Sequence, residues 1–185
     1  MEKRVHITGA AGSGTTTLGR ALAQHLALPH FDTDDFYWLP VEPAYSKKRD
    51  PAARIRLMQE LFAPRRAWIL SGSLMGWGDD LAPLFDLVVF LRAPTDERLN
   101  RLRQREMVRV GAAAIAEGGA RYQDHVAFLD WATQYDRSDF DGRSLQRHEV
   151  WLAELRCPIV RLDSTKPVDD LVAQVTVEMV SNQHA

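Results

Sequence analysis

Short apolar runs alternate along the chain with longer stretches whose apolar residues recur every three or four positions. Residues 4–8 (RVHIT) read as a short buried strand, and residues 30–33 as a second one. The compact runs at 68–71 (WILS) and 87–91 (LVVFL) suit strands covered on both faces, and residues 158–163 supply a last strand. Between them, a helix is predicted from about Gly14 to Ala27, with Leu18, Leu22 and Leu26 on one face. Asp50 before Pro51 is an N-cap and first-turn pair, and Ile55, Met58, Leu61 and Phe62 form the buried stripe of the helix it opens. Pro94 and Thr95 start an arginine-rich helix reaching about Arg109, followed by a flexible Gly/Ala stretch (GAAAIAEGGA). Helices around 120–135 and 144–155, and one begun by Pro167, complete the pattern. Strands that alternate with helices are joined in parallel by right-handed crossovers, so the expectation is an α/β protein with five parallel strands layered by helices.

Composition narrows the class without naming a function. The 185 residues fit one domain, and the 45% apolar and 26% charged fractions exclude a disordered or coiled-coil chain. A formal net charge of −2 gives no electrostatic footprint for nucleic acid. No run approaches the roughly 18 apolar residues of a membrane span. MEKRVHITG leads directly into a strand without an h-region or cleavage site, and Cys157 stands alone, so a cytoplasmic protein is expected.

The sharpest chemical signal is GAAGSGTTTL, lying between the first strand and the first helix. The loop residues Gly9, Ala10, Ala11, Gly12, Ser13, Gly14, Thr15, Thr16 and Thr17 place small side chains and backbone N–H groups where a phosphate can approach. The helix starting there adds its positive end. The pattern GxxxxGK[ST] is met at Gly9, Gly14 and Thr16, but Thr15 occupies the lysine position. Thr16 is the expected hydroxyl ligand of Mg²⁺, and Thr17 the partner of an α-phosphate oxygen. Arg20, one turn beyond Thr16, and an arginine of a lid are both candidates to replace the lysine, and spacing does not choose between them.

Asp32, Asp34 and Asp35 follow the second strand, at the carboxyl end where ligands collect in open α/β sheets. Period-two alternation would point Asp32 and Asp34 the same way, one toward Mg²⁺ and the other toward a substrate hydroxyl. The competing reading is that one of them caps the next turn. Ser71 stands near the place where a Walker B acid is expected, which transfers metal duty to Asp32. Trp38 and Trp77 are candidates to stack on a planar substrate, or else pack at a rim. Arg98, Arg101, Arg105 and Arg109 line one helical face, Leu99 and Leu102 another. Taken alone the stripe suits an exposed basic face paired with Glu97 and Glu106, but after a buried strand and beside the Gly/Ala stretch it reads as a lid closing on phosphates, with Arg101 and Arg105 as the clamp. Arg143 and Arg147, after the loop at 136–142, are candidates to extend that clamp, with solvated surface as the favoured reading, and His30, His125 and His148 show no metal-ligand spacing.

Together GAAGSGTTT, the pair Asp32 and Asp34, WILS with Gly72 after it, and Arg101 with Arg105 resemble the adenylate kinase-like and shikimate kinase-like P-loop kinases. Within that group Asp34, Phe36, Trp38 and Pro40, WILSGS, and Trp131 with Tyr135 are similar to the kinase-like branch named "DNA topology modulation protein". The resemblance implies a three-layer P-loop NTPase fold with strand order 2-3-1-4-5, ATP with Mg²⁺, and adenine near residues 164–167. It also implies Asp32 as the metal-associated carboxylate, Asp34 as the substrate-side one, and Arg101 and Arg105 as lid arginines. One domain over 1–185 is expected, with an acceptor-binding insert at about 35–66 and a lid at about 98–142. Three functions stay open: an ATP-dependent phosphotransferase using a small-molecule or nucleotide acceptor, a nucleotide sensor that has lost the chemistry, and a nucleic-acid-associated regulator. The chain carries no recognisable DNA-reading motif, which disfavours the third.

Overall fold

The computed structural model describes residues 3–181. Its sheet has five parallel strands, β1 (Arg4–Gly9), β2 (His30–Asp32), β3 (Trp68–Ser71), β4 (Leu87–Arg92) and β5 (Ile159–Asp163), in the order β2-β3-β1-β4-β5. The helices are α1 (Thr15–Leu26), α2 (Thr33–Tyr37), α3 (Pro51–Leu61), α4 (Thr95–Val110), α5 (Ala112–Ile115), α6 (Tyr122–Thr133), α7 (Leu145–Ala153) and α8 (Val168–Ser181). Single 3₁₀ segments cover Asp79–Leu84 and Gln134–Asp136.

Side-chain alternation explains why the strands are apolar throughout. Val5, Ile7, Ile69, Val89 and Leu91 enter one core with Leu18 and Leu22 of α1 and Leu171, Val175 and Met179 of α8. Trp68, Leu70, Val88 and Phe90 enter the other, with Met58 of α3, Phe36 of α2 and Trp151 and Leu152 of α7. Neighbouring strand residues point to opposite faces, and both faces are covered, so neither position can be polar without a partner.

Three element-level expectations are corrected. The second strand stops at Asp32, and Thr33 opens α2 rather than continuing an alternating strand. Leu61 is 47% exposed, so the buried side of α3 runs through Arg54, Met58 and Phe62. The Gly/Ala stretch is not structureless, since Ala112–Ile115 forms the short helix α5. Among the described residues no helix is long and apolar enough to cross a membrane.

Candidate functional site

The loop between β1 and α1 is shaped for close approach. Gly12 has φ +80°, and a Cβ there would lie 2.5 Å from the carbonyl oxygen of Arg98, so neither its backbone conformation nor its surroundings accept a larger residue. Gly14 caps α1 in the left-handed region; no side chain caps this helix and its first turn holds no acid. The first-turn N–H groups therefore keep their capacity for an anion, and no acidic residue of the helix itself opposes its positive end. Ser13 Oγ is fully buried, packed against Gly9 inside the loop, and has no hydrogen-bond partner. These features fit a polyphosphate.

Asp32 is the hub beside the loop. One carboxylate oxygen accepts from Thr16 Oγ1 at 2.7 Å and from Ser71 Oγ at 3.2 Å, and the other from the Asp34 N–H at 3.0 Å. His30 Nε2 lies 2.9 Å from Ser71 Oγ. The expected alternation of Asp32 and Asp34 fails because Asp32 ends the strand and caps α2, which leaves Asp34 and Asp35 in that helix's first turn. Capping and contact with Thr16 are thus performed by the same carboxylate. Thr16 and Asp32 offer the hard oxygen donors that Mg²⁺ takes, and Mg²⁺ uses few protein ligands alongside phosphate and water. Among the described residues no group of three or more His, Cys, Asp or Glu forms a larger metal cluster.

Asp34 has an exposed edge, yet the protein crowding its carboxyl raises its pKa; the Asp32 charge raises it further, while Arg143 and Arg105 pull it down. Asp35 is raised by loss of solvent and by Asp32, with His30 and Arg20 opposing. Arg20 is exposed, and its electrostatic neighbours are His30 and Asp35.

The arginines of α4 do not share one environment. Arg98 is 1% exposed and ion-paired to Asp136 at 2.7 Å, so the expected four-arginine stripe loses its first member. Arg101 holds Glu97 at 2.8 Å and the Ser164 carbonyl at 2.8 Å, and its Nη1 lies 3.7 Å from where a Cβ on Gly14 would stand. Arg105 is exposed, lies 5.9 Å from the Phe128 ring centre and acts on the Asp34 carboxyl. Arg109 pairs with Glu106 at 2.5 Å and sits 4.9 Å over Tyr45.

For two arginines the sequence falls short: its spacing favours solvated surface for Arg143 and does not single out Arg54. Arg143 is not solvated surface: it is partly buried 5.1 Å over Trp131, its Nε lacks a partner, and burial lowers its pKa against the pull of Asp34 and Tyr135. Arg147 does lie exposed, bonded to the Asp141 carbonyl. Arg54 of α3 is 6% exposed, with its guanidinium 3.8 Å over Tyr37 and 5.6 Å over Trp77. No spacing rule marks either, because Arg143 sits in the bend before α7 and Arg54 meets Tyr37 only once α2 and α3 pack. Trp38 and Trp77 gather with Tyr37 and Tyr45 at this rim. His148 is fully buried, bonded to Tyr135 Oη at 2.7 Å, and burial lowers its pKa to about 3.

A family model described as an AAA domain matches residues 5–118. The chain is 43% identical over 182 residues to the uncharacterized protein YqaC of Bacillus subtilis (strain 168), covering 98% of this chain and 100% of that one. It is 31% identical over 110 residues to a shikimate kinase of Thermosynechococcus vestitus, covering 54% of this chain and 60% of that enzyme. In three dimensions it superposes on the shikimate kinase from Bacteroides thetaiotaomicron with a TM-score of 0.61 at 16% identity, covering 96% of this chain and 98% of the other. That likeness is one of fold.

Proposed function

The chain belongs to the AAA-domain family and has a P-loop kinase-like fold, and from that premise we propose that it is an ATP-dependent phosphotransferase whose phosphate loop works without the usual lysine. The observation that carries this reading is the uncapped start of α1 facing the Thr16–Asp32 pair, with Asp34 beside Arg105 and Arg143.

In this reading the amides of residues 9–17 hold the β- and γ-phosphates and Thr17 reaches the α-phosphate. Thr16 and Asp32 hold Mg²⁺, which neutralises charge on the phosphate oxygens when bound. Arg101, between Gly14 and Ser164, lies on the side where adenine is placed by the resemblance. Asp34 accepts the proton of the acceptor hydroxyl, and its raised pKa suits a base that must hold that proton. Arg105 is our choice for the missing lysine, because it faces Asp34 whereas Arg20 faces His30 and Asp35. A lost donor of this kind costs about 2.7–4 kcal/mol of barrier, which sets what Arg105 has to supply. Arg54 and Arg143, for which no carboxylate ion pair is seen among the described residues, favour an acceptor carrying an anionic group. Residues of about 35–66 form the acceptor side and those of about 98–142 the lid that excludes water. The "DNA topology modulation protein" branch and a cytoplasmic location belong to the same reading.

Thr15 in the lysine position and Ser71 in place of an acid favour a second reading, a nucleotide sensor without turnover. A nucleic-acid role has little support, since Arg98 is buried and Arg101 and Arg109 are paired with Glu97 and Glu106. Single-turnover assays with γ-labelled ATP, Mg²⁺ and pools of anionic hydroxyl compounds and nucleotides are expected to show acceptor-dependent transfer. Arg105→Ala should then cut kcat roughly 100- to 1,000-fold, and Thr15→Lys should lower the rate of a site adapted to threonine. ATP that is bound but never consumed supports the sensor, and a rate gain in Thr15→Lys supports a decayed enzyme.

A further inference from the structure

One charge beside the phosphate loop takes no part in the proposed transfer. Arg98 is among the largest fully buried side chains, and a guanidinium is costly to bury unless it is paired. Its Nη2 donates to the Asp136 carboxylate at 2.7 Å and to Thr95 Oγ1 at 3.0 Å, and the Thr95 hydroxyl bonds the same carboxylate. Its Nη1 lies 3.4 Å from the Ala11 carbonyl and 3.3 Å from the Ala132 carbonyl. Its main chain is what closes on Gly12. One side chain therefore spans the phosphate loop and the end of α6 with the 3₁₀ segment that follows.

This placement constrains the loop. A trans peptide points its C=O and N–H in opposite directions, so holding Ala11 O toward Arg98 turns the Gly12 N–H away from it. Apart from Thr95 in its own helix, Arg98's side-chain hydrogen bonds beyond the loop go to Ala132 and Asp136, where the last carbonyls of a helix need partners and a cation is favoured. A second tie leaves the same segment: Tyr135 Oη meets His148 Nδ1 at 2.7 Å, and His148 Nε2 lies 3.5 Å from Thr8 Oγ1, next to Gly9.

We propose that Arg98 is a positioning residue that links the orientation of the Ala11–Gly12 peptide to the placement of residues 132–136. Nucleotide in the loop and closure of α6 then favour each other, a linkage that rests on the nucleotide-binding reading given above.

Hydrogen exchange of the full chain with and without saturating MgATP tests it, using Asp136→Asn and Arg98→Lys with Asp136→Glu as rescue. The Asp136 side chain is 44% exposed and asparagine keeps an acceptor oxygen for Arg98, so Asp136→Asn weakens the pair while leaving a partner in place. In the unaltered protein ATP is expected to slow exchange both at residues 9–17 and across α6. In Asp136→Asn the loop stays protected while α6 loses its ATP-dependent protection, and the Kd for ATP rises roughly tenfold, the loss expected of one charged hydrogen bond. Arg98→Lys does the same more strongly, and Asp136→Glu restores α6 protection. A purely structural Arg98 would lower the melting temperature yet leave ATP-dependent protection of α6 intact in the variants, and that result overturns the linkage alone. Loop amides indifferent to ATP in the unaltered protein would overturn the kinase reading and the linkage together.

Discussion

Gly12 shows how one position joins chemistry to packing. Its φ of +80° disfavours any side chain, and the atom it abuts is the main-chain oxygen of Arg98, which cannot swing aside. Gly118 has nearly the same φ, +81°, but open space around it. Gly118→Ala should therefore cost only backbone strain of about 1–2 kcal/mol, with ATP binding unchanged. Gly12→Ala should destabilise more and weaken ATP binding by tenfold or more, as calorimetry with denaturant melts will show; equal effects of the two changes would sink the close-approach argument. The loop glycines were readable from spacing alone, since only Gly serves a tight strand-to-helix turn. That α4 packs on Gly12 was not readable, because nothing near residue 12 announces a neighbour from residue 98.

The helix caps divide into one that was legible and one that was not. Asp50 before Pro51 is read directly, and in the fold Asp50 Oδ1 accepts the Ala53 N–H at 3.0 Å. Asp50→Ala is expected to cost about 1 kcal/mol of stability without touching nucleotide affinity. Thermal melts with and without ATP check both halves, and an altered affinity would mean that α3 moves with the site. Asp32 was ambiguous, because a D-T-D-D run after His30 and Phe31 suits a strand end as well as a cap. Pairing decided it: β2 matches β3 only through Asp32–Ser71, so the strand has no partner beyond that point. The same limit explains Leu61, whose helical spacing fits the stripe of α3 although it lies where no second layer covers it.

Two buried histidines tie the stability of the fold to pH. Burial lowers His6 from its ordinary 6.5 to about 4 and His148 to about 3, with a hydrogen bond to the Leu70 carbonyl partly opposing the first. Below 6.5 the unfolded chain binds protons that the folded chain refuses, so stability falls as pH drops from 6.5 toward these values and is unaffected by them above 6.5. A tenfold difference in proton affinity between the folded and unfolded chain is worth about 1.4 kcal/mol, so the loss by pH 4 amounts to a few kcal/mol. Asp34 and Asp35, with raised pKa values, act in the opposite sense as they take up protons. His148→Gln keeps a polar partner for Tyr135 but cannot charge, so its denaturant midpoint should fall less steeply between pH 6.5 and 4; an unchanged slope would mean that His148 has no share in the acid sensitivity.

Taken by itself, the amino-acid order determined the alternating strands and helices, the glycine-rich turn between β1 and α1 with Thr15 at the lysine position of the pattern, and the cap at Asp50. These rest on local rules: side-chain period, backbone freedom and the need of helix ends for partners act within a few residues. Tertiary structure alone decided that Arg98 is interior, that Arg143 comes within electrostatic reach of Asp34, that Arg54 stacks on Tyr37, and that Asp32 serves Thr16, Ser71 and α2 at once. Whether a charged side chain is solvated or clamped depends on which distant carbonyls and carboxylates the folded chain brings to it, and the spacing of residues carries no record of that.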